Sequence, residues 1–223
     1  MNSIMPLYLS LAPDNKYDPV FEQLFGPGRI PFALRPLSVP NDWPFISKWL
    51  SRAFGRRFSS YTHLPHQYLR ETFATMLQCD FAQPFVGLIN DQPAFLVEIC
   101  DGDKQGDALE GGAHLFEPGD HAMRLILSPT VMHARYWPAH ALFISLAYFF
   151  THKQVKRVVW QLHEKDTFFI NLAHQLGFMG GRRVKPSFDF SSEERTGIQV
   201  YLYLRENFKR FSGLYQRTMP KLP

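Results

Sequence analysis

The sequence predicts an α/β fold of the α+β type, a central mixed sheet of about seven strands flanked by about four helices. Three observations lead there. Between Gly119 and Phe178 the chain reads as a short apolar strand, an apolar helix from about Pro138 to His152, a strand through Lys156–His163 and a helix closing on Leu176-Gly177-Phe178. That is a βαβα unit, and such units carry a ligand at the ends of their strands. Phe85–Ile89 and Ala94–Ile99 are apolar runs joined by Asn90-Asp91-Gln92-Pro93, the pattern of an antiparallel hairpin. Upstream of both, Ile46, Trp49, Leu50 and Ala53 recur at i, i+3, i+4 and i+7, the apolar stripe of a helix.

Taken in order, residues 1–31 are rich in Pro, Gly and Asn yet hold Leu7, Leu9, Leu11, Phe21, Leu24 and Phe25, which predicts an ordered arm packed on the domain. Gly26-Pro27-Gly28 punctuates its end. Phe32–Leu37 reads as the first strand. Asn41 or Asp42 caps the first helix, with Pro44 tolerated in its opening turn. A second helix runs from about Pro65 to Gln78 with Leu69, Phe73, Met76 and Leu77 inward. Residues 101–118 are an acidic, glycine-rich loop. After the central unit come a Gly180-Gly181 turn, a strand around Arg183–Phe188, a polar loop over Ser191–Gly197 and a last strand, Ile198–Leu204. The domain therefore spans 32–210, followed by a basic tail, 211–223. The element order is β-α-α-β-β-β-α-β-α-β-β.

Composition narrows the function classes. The 21 Phe and 15% aromatic content suit either a simple aromatic core or a cleft walled by rings for a long acyl or pantetheine arm. A net charge of +4 permits binding of an anionic nucleotide phosphate. Nucleic acid is not the expected partner: outside Arg56-Arg57, Arg182-Arg183 and the tail the basic residues are scattered, with no basic face interleaved with aromatics. Cys79 and Cys100 have neither metal spacing nor a disulfide framework, which together with the lack of a leader points to a reducing cytoplasm and no metal. The longest apolar run, Ala139–Phe150, is too short to span a bilayer, so no membrane partner is expected.

Four stretches carry a resemblance: Leu34-Arg35-Pro36-Leu37 with the helix ending in Trp49-Leu50; Gln92-Pro93-Ala94-Phe95-Leu96-Val97-Glu98-Ile99; Gly119-Asp120-His121-Ala122-Met123 running into Leu125-Ile126; and Arg157-Val158-Val159 followed by Leu176-Gly177-Phe178 and Arg205-Glu206-Asn207-Phe208. In order and spacing they resemble the siderophore-biosynthesis branch of the GNAT N-acyltransferases, which acylate N-hydroxylated lysine, ornithine, putrescine or cadaverine. The resemblance implies a GNAT fold with a splayed central strand pair. It implies acetyl-CoA or another acyl-CoA as co-substrate and a small-molecule amine or hydroxylamine as acceptor; a homodimer is compatible with it. Departures are equally plain. Arg124 stands where the family has a histidine, and Gln161-Leu162-His163-Glu164-Lys165-Asp166 stands where the family has E-P-D-x-x-N. The pyrophosphate loop Q/R-x-x-G-x-G/A is replaced by Arg135-Tyr136-Trp137-Pro138-Ala139-His140.

Acyl transfer from a thioester needs a neutral amine, a polarised carbonyl and a protonated leaving thiolate. In this architecture backbone N–H groups hold the carbonyl, so Leu125, Leu127 and Ser128 serve whatever their side chains. Arg135, Ala139 and His140 lie at the start of the helix expected to hold the diphosphate, Pro138 preserving that start while removing one donor; Arg135 is either a phosphate contact or an exposed loop residue. Arg124 cannot act as a base. It either binds a carboxylate of donor or acceptor or forms a salt bridge to Asp120 or Glu98. His163, His121 and Glu98 are each a candidate base, against the ordinary alternative of a structural role. Trp160 and the Phe168-Phe169 pair are expected in the core. Two other readings stand beside acylation of a hydroxylamine: an N-acetyltransferase of plain small amines, and a GNAT-fold binding protein without catalysis.

Overall fold

The computed structural model of the chain describes residues 6–9, 11–51, 66–105, 116–184 and 197–218. Eight described strands form one sheet: β1 (Phe21–Phe25), β2 (Ile30–Pro36), β3 (Ala82–Ile89), β4 (Gln92–Asp101), β5 (Asp120–Leu127), β6 (Arg157–His163), β7 (Met179–Val184) and β8 (Ile198–Leu204), in the spatial order β1-β2-β3-β4-β5-β6-β8-β7. Seven helices accompany them among the described residues: α1 (Val39–Ser51), α2 (His66–Gln78), α3 (Gly102–Gln105), α4 (Pro129–His133), α5 (Trp137–Phe149), α6 (Thr167–Gln175) and α7 (Arg205–Thr218). The mixed α/β fold with a splayed central pair is as expected, with more short elements than the expected seven strands and four helices.

Local chemistry accounts for the frame. β3 and β4 close on a two-residue turn in which Asn90 (φ 49°) and Asp91 (φ 62°) both adopt the left-handed conformation. That is the geometry two-residue hairpins favour, and Asn and Asp tolerate it better than other side chains. β3 is buried along its whole length, and β4 over its interior. α1 starts at Val39 rather than at Asn41 or Asp42, because Asp42 looks back: its carboxylate accepts the Ser38 N–H at 2.8 Å and forms a bidentate pair with Arg35 at 2.6 and 2.7 Å. In α2, Leu69, Phe73 and Leu77 face inward as the periodicity predicted.

Strand alternation sorts the side chains onto two faces. Glu98, Cys100, Ala122, Arg124, Gln161 and His163 share the front face; Val97, Ile99, His121, Met123, Leu125 and Trp160 share the back. α1 and α2 cover the front, through the Arg35–Asp42 pair and through Met76 beside Cys100 and Ala122. α5, α6 and α7 cover the back, by contacts such as Phe85–Tyr148, Trp160–Phe169 and Tyr203–Phe208. α5 is buried nearly all round, the reason its sequence is apolar without an amphipathic stripe. Trp160 and Phe169 are core residues, as expected.

Three expectations need correction. The end of the presumed arm is a sheet strand, β1, with Phe25 buried against Phe32 and His140. The seventh strand lies at Met179–Val184, upstream of the expected position, and the Gly180-Gly181 pair is a bulge within it rather than a turn before it. The stretch from Arg205 is a helix whose Phe208, Phe211 and Tyr215 pack inward. Arg56-Arg57, most of the 101–118 loop, residues 185–196 and the last five residues lie outside the described residues. Among the described residues no helix is long and apolar enough to cross a membrane.

Candidate active site

β5 and β6 are the one parallel neighbour pair among the described strands, and they pair only from Asp120–Arg157 to Met123–Trp160. Beyond that point β5 continues to Leu127 on β4, while β6 continues to His163 on β8. The sheet therefore opens between the last four residues of β5 and the last three of β6.

The hydrogen-bond phase of β5 decides what faces this gap. The Ser128 N–H donates to Ala94 O at 2.9 Å, continuing the Leu127–Phe95 register. In an antiparallel ladder directly opposed residues alternate between exchanging both backbone bonds and exchanging neither. With Ser128 bonded, Ile126 and Arg124 are bonded to β4, and the N–H and C=O of Leu125 and Leu127 point the other way, into the gap. Ser128 itself is corrected: its N–H is spent on Ala94, and its hydroxyl accepts from Val131 N–H as the N-cap of α4.

At the start of α5 the N-cap residue Tyr136 supplies no side-chain bond. The first-turn N–H groups of Trp137 and Ala139 are thus left without intrahelical partners, Pro138 having none to offer. Arg135 is exposed, with its guanidinium 5.1 Å from the Tyr136 ring centre. His140 is corrected as a ligand contact. Its backbone N–H donates to Tyr136 O, its Nδ1 lies 2.7 Å from the Tyr215 hydroxyl, and its ring stacks on Phe25. Burial pushes its pKa down to about 4, so it is a neutral core group.

Glu98 and Arg124 are register partners on the front face, joined by an ion pair of 2.9 Å between Nη1 and Oε2. The Glu98 side chain is 2% exposed and that of Arg124 30%, so the guanidinium covers the carboxylate and fronts the solvent side. Extending the β5–β6 register places Gln161 at the level of Arg124 and His163 at the level of Ile126, across the opening. His163 is half-buried, and its Nδ1 accepts the Lys165 N–H at 3.2 Å. Around it Glu164 pairs with Arg183 at 3.0 Å, and Asp166 caps α6 by accepting from Phe169 N–H.

His121 is not part of this arrangement. It lies on the back face opposite Val158, five residues short of His163 along β6, a separation of about 16 Å at strand rise. Its Nδ1 bonds Gly119 O at 3.1 Å, its ring stacks on Tyr8, and burial lowers its pKa. Tyr8 and Tyr215, the residues that pack on the two buried histidines, come from segments outside the central unit, and no local motif marks them.

Among the described residues no cluster of His, Cys, Asp and Glu is placed to hold a metal. A sheet opened between parallel strands, with backbone donors turned into the opening on one edge and an uncapped helix start beyond it, can hold a carbonyl oxygen and a phosphate. Residues 38–185 match the family described as the acetyltransferase (GNAT) domain, and the chain belongs to that family. It is an N-acyltransferase with acyl-CoA as co-substrate. No curated protein matches. Solved structures share the fold at low identity. An uncharacterized protein from Bacillus halodurans superposes with a TM-score of 0.72 at 16% identity, covering 91% of this chain and 99% of that one. The aminoglycoside acetyltransferase AAC(6')-Ib in complex with coenzyme A gives 0.68 at 14%, covering 81% and 99%. Spermidine N-acetyltransferase from Vibrio cholerae, in complex with CoA and spermine, gives 0.64 at 14%, covering 80% and 98%.

Proposed function

We propose that the protein transfers an acyl group from acyl-CoA to the nitrogen of an N-hydroxylated diamine or amino acid in siderophore biosynthesis. The observation that carries this reading is the state of the carboxylates beside the gap. Glu98 is bound by Arg124, Glu164 by Arg183, and Asp166 by the first turn of α6. An alkylammonium acceptor must lose a proton before it attacks, and a base for it would come from groups already engaged. A hydroxylamine nitrogen is far less basic and is largely neutral at physiological pH. The sequence resemblance to the hydroxylamine acyltransferases points the same way.

In this reading the Leu125 and Leu127 N–H groups hold the thioester carbonyl and the adjoining pantetheine amide. The Trp137 and Ala139 N–H groups, with Arg135, take the diphosphate. The Glu98–Arg124 pair and Gln161 line the acceptor side, the face covered by α1 and α2. Thiol release measured with N-hydroxyputrescine and N6-hydroxylysine, against putrescine and lysine, tests the assignment with acetyl-CoA and succinyl-CoA as donors. The hydroxylated acceptors are expected to react faster. Preference for the plain amines would instead make the protein a small-amine N-acetyltransferase; no thiol release from any pair would leave a binding protein.

A further inference from the structure

We infer that His163 is a catalytic residue of this chain, acting as a fixed hydrogen-bond donor to the departing sulfur rather than as a base. The inference rests on the acyl-CoA reading of the gap. Three observations carry it. His163 closes β6 where β5 has parted from it; extending the register puts it at the level of Ile126, on the strand across the opening from Leu125 and Leu127. Its Nδ1 accepts the backbone N–H of Lys165 at 3.2 Å, which settles the tautomer: Nδ1 carries the lone pair and Nε2 the proton. Finally, Asp166, the residue after Lys165, anchors the turn as the cap of α6, so the ring is held by structure of the fold rather than by a mobile loop.

An imidazole whose Nδ1 accepts a backbone N–H cannot take up a proton there without breaking that bond. Its Nε2–H can donate. With the carbonyl oxygen taken by the β5 edge, the sulfur of the thioester lies toward β6. The acceptor nitrogen attacks the carbonyl carbon, the N–C bond forms and the C=O pair moves onto oxygen. Collapse re-forms C=O and breaks C–S, the bonding pair leaving on sulfur. The Nε2–H bond strengthens as that charge develops, so it stabilises the transition state more than the ground state. The proton lost from the acylated nitrogen passes through solvent to the thiolate, giving the free thiol and the neutral N-acyl product; His163 ends as it began.

The test separates a donor from a base. His163→Gln places an amide N–H near the Nε2 position, whereas His163→Leu has none. With the full-length protein, acetyl-CoA and whichever amine or hydroxylamine the wild type acylates best, His163→Leu is expected to lower kcat by about 10- to 100-fold. His163→Gln is expected to stay within about fivefold of wild type, between the two limits set by one donor. Coenzyme A affinity, read by calorimetry, is expected to be unchanged in both. Equal loss in both variants overturns the donor role, and so does full activity in His163→Leu. Neither outcome bears on the acyl-CoA reading, which fails only if the wild type itself neither binds coenzyme A nor releases it.

Discussion

Arg124 reaches across from β5 to place Nη1 2.9 Å from Oε2 of Glu98, a carboxylate whose own side chain is 2% exposed. Removing the guanidinium would leave a buried charge with its main counter-ion gone. Arg124→Met is expected to cost about 2–3 kcal/mol of stability, below the full penalty for a buried pair because the arginine is partly solvated. The double variant Glu98→Gln/Arg124→Met is expected to recover most of it. Urea unfolding of the four proteins in the cycle gives the coupling directly.

Gly87 lies opposite Phe95, and a Cβ there would stand 2.0 Å from the ring. The ring lies over the glycine backbone and is fully buried. Gly87→Ala is therefore expected to destabilise by about 2–3 kcal/mol, as overpacking of a filled core does. Adding Phe95→Leu to it should cost less than the sum of the two single changes; additive losses in a denaturant series would contradict the packing.

His140 links acid sensitivity to packing. Its pKa is depressed by burial to about 4, against an ordinary value of 6.5. A group depressed in this way binds fewer protons folded than unfolded. Its contribution is present above pH 6.5 and is lost as pH falls toward 4. The loss amounts to about 2–3 kcal/mol, and buried His121, also depressed, adds to it with the same sign. Unfolding free energies at pH 7.5 and 4.5 should differ less in His140→Leu/Tyr215→Phe, which removes the titrating group and its hydroxyl partner together.

Arg205 ties together parts of the chain far apart in sequence. Its guanidinium donates to Phe150 O, His152 O and Val155 O, just past α5, and stacks 5.3 Å from the Phe150 ring centre. A lysine has three donors on a point charge and cannot reproduce the planar fork. Arg205→Lys is expected to lose about 2 kcal/mol. Limited proteolysis should then cut α7 sooner than in the wild type.

Much of the fold was legible because its signals are local. The Asn90-Asp91 turn and the spacing of Ile46, Trp49 and Leu50 each speak within a few residues. β1 was not, since Phe21–Phe25 becomes a strand only by pairing with β2. α7 carries its apolar positions in a basic stretch, and the charge masked their helical spacing. At the site, His140 was misread by its place in a loop pattern; its partner, Tyr215, lies 75 residues away. The backbone donors of Leu125 and Leu127 depend on ladder phase, which no side chain encodes.

The parallel pairing of β5 with β6 obliges the chain to cross over through α5, so gap edge, helix start and His163 all come from one uninterrupted run, Asp120–His163. The opposite wall is assembled from earlier elements, β4, α1 and α2. In the proposed reading the donor's contacts all come from that run, whereas the acceptor side joins its Arg124 and Gln161 to Glu98 and the helices of the earlier stretch. A chimera that keeps the later run and exchanges the earlier one should change which amine is taken while leaving the donor untouched.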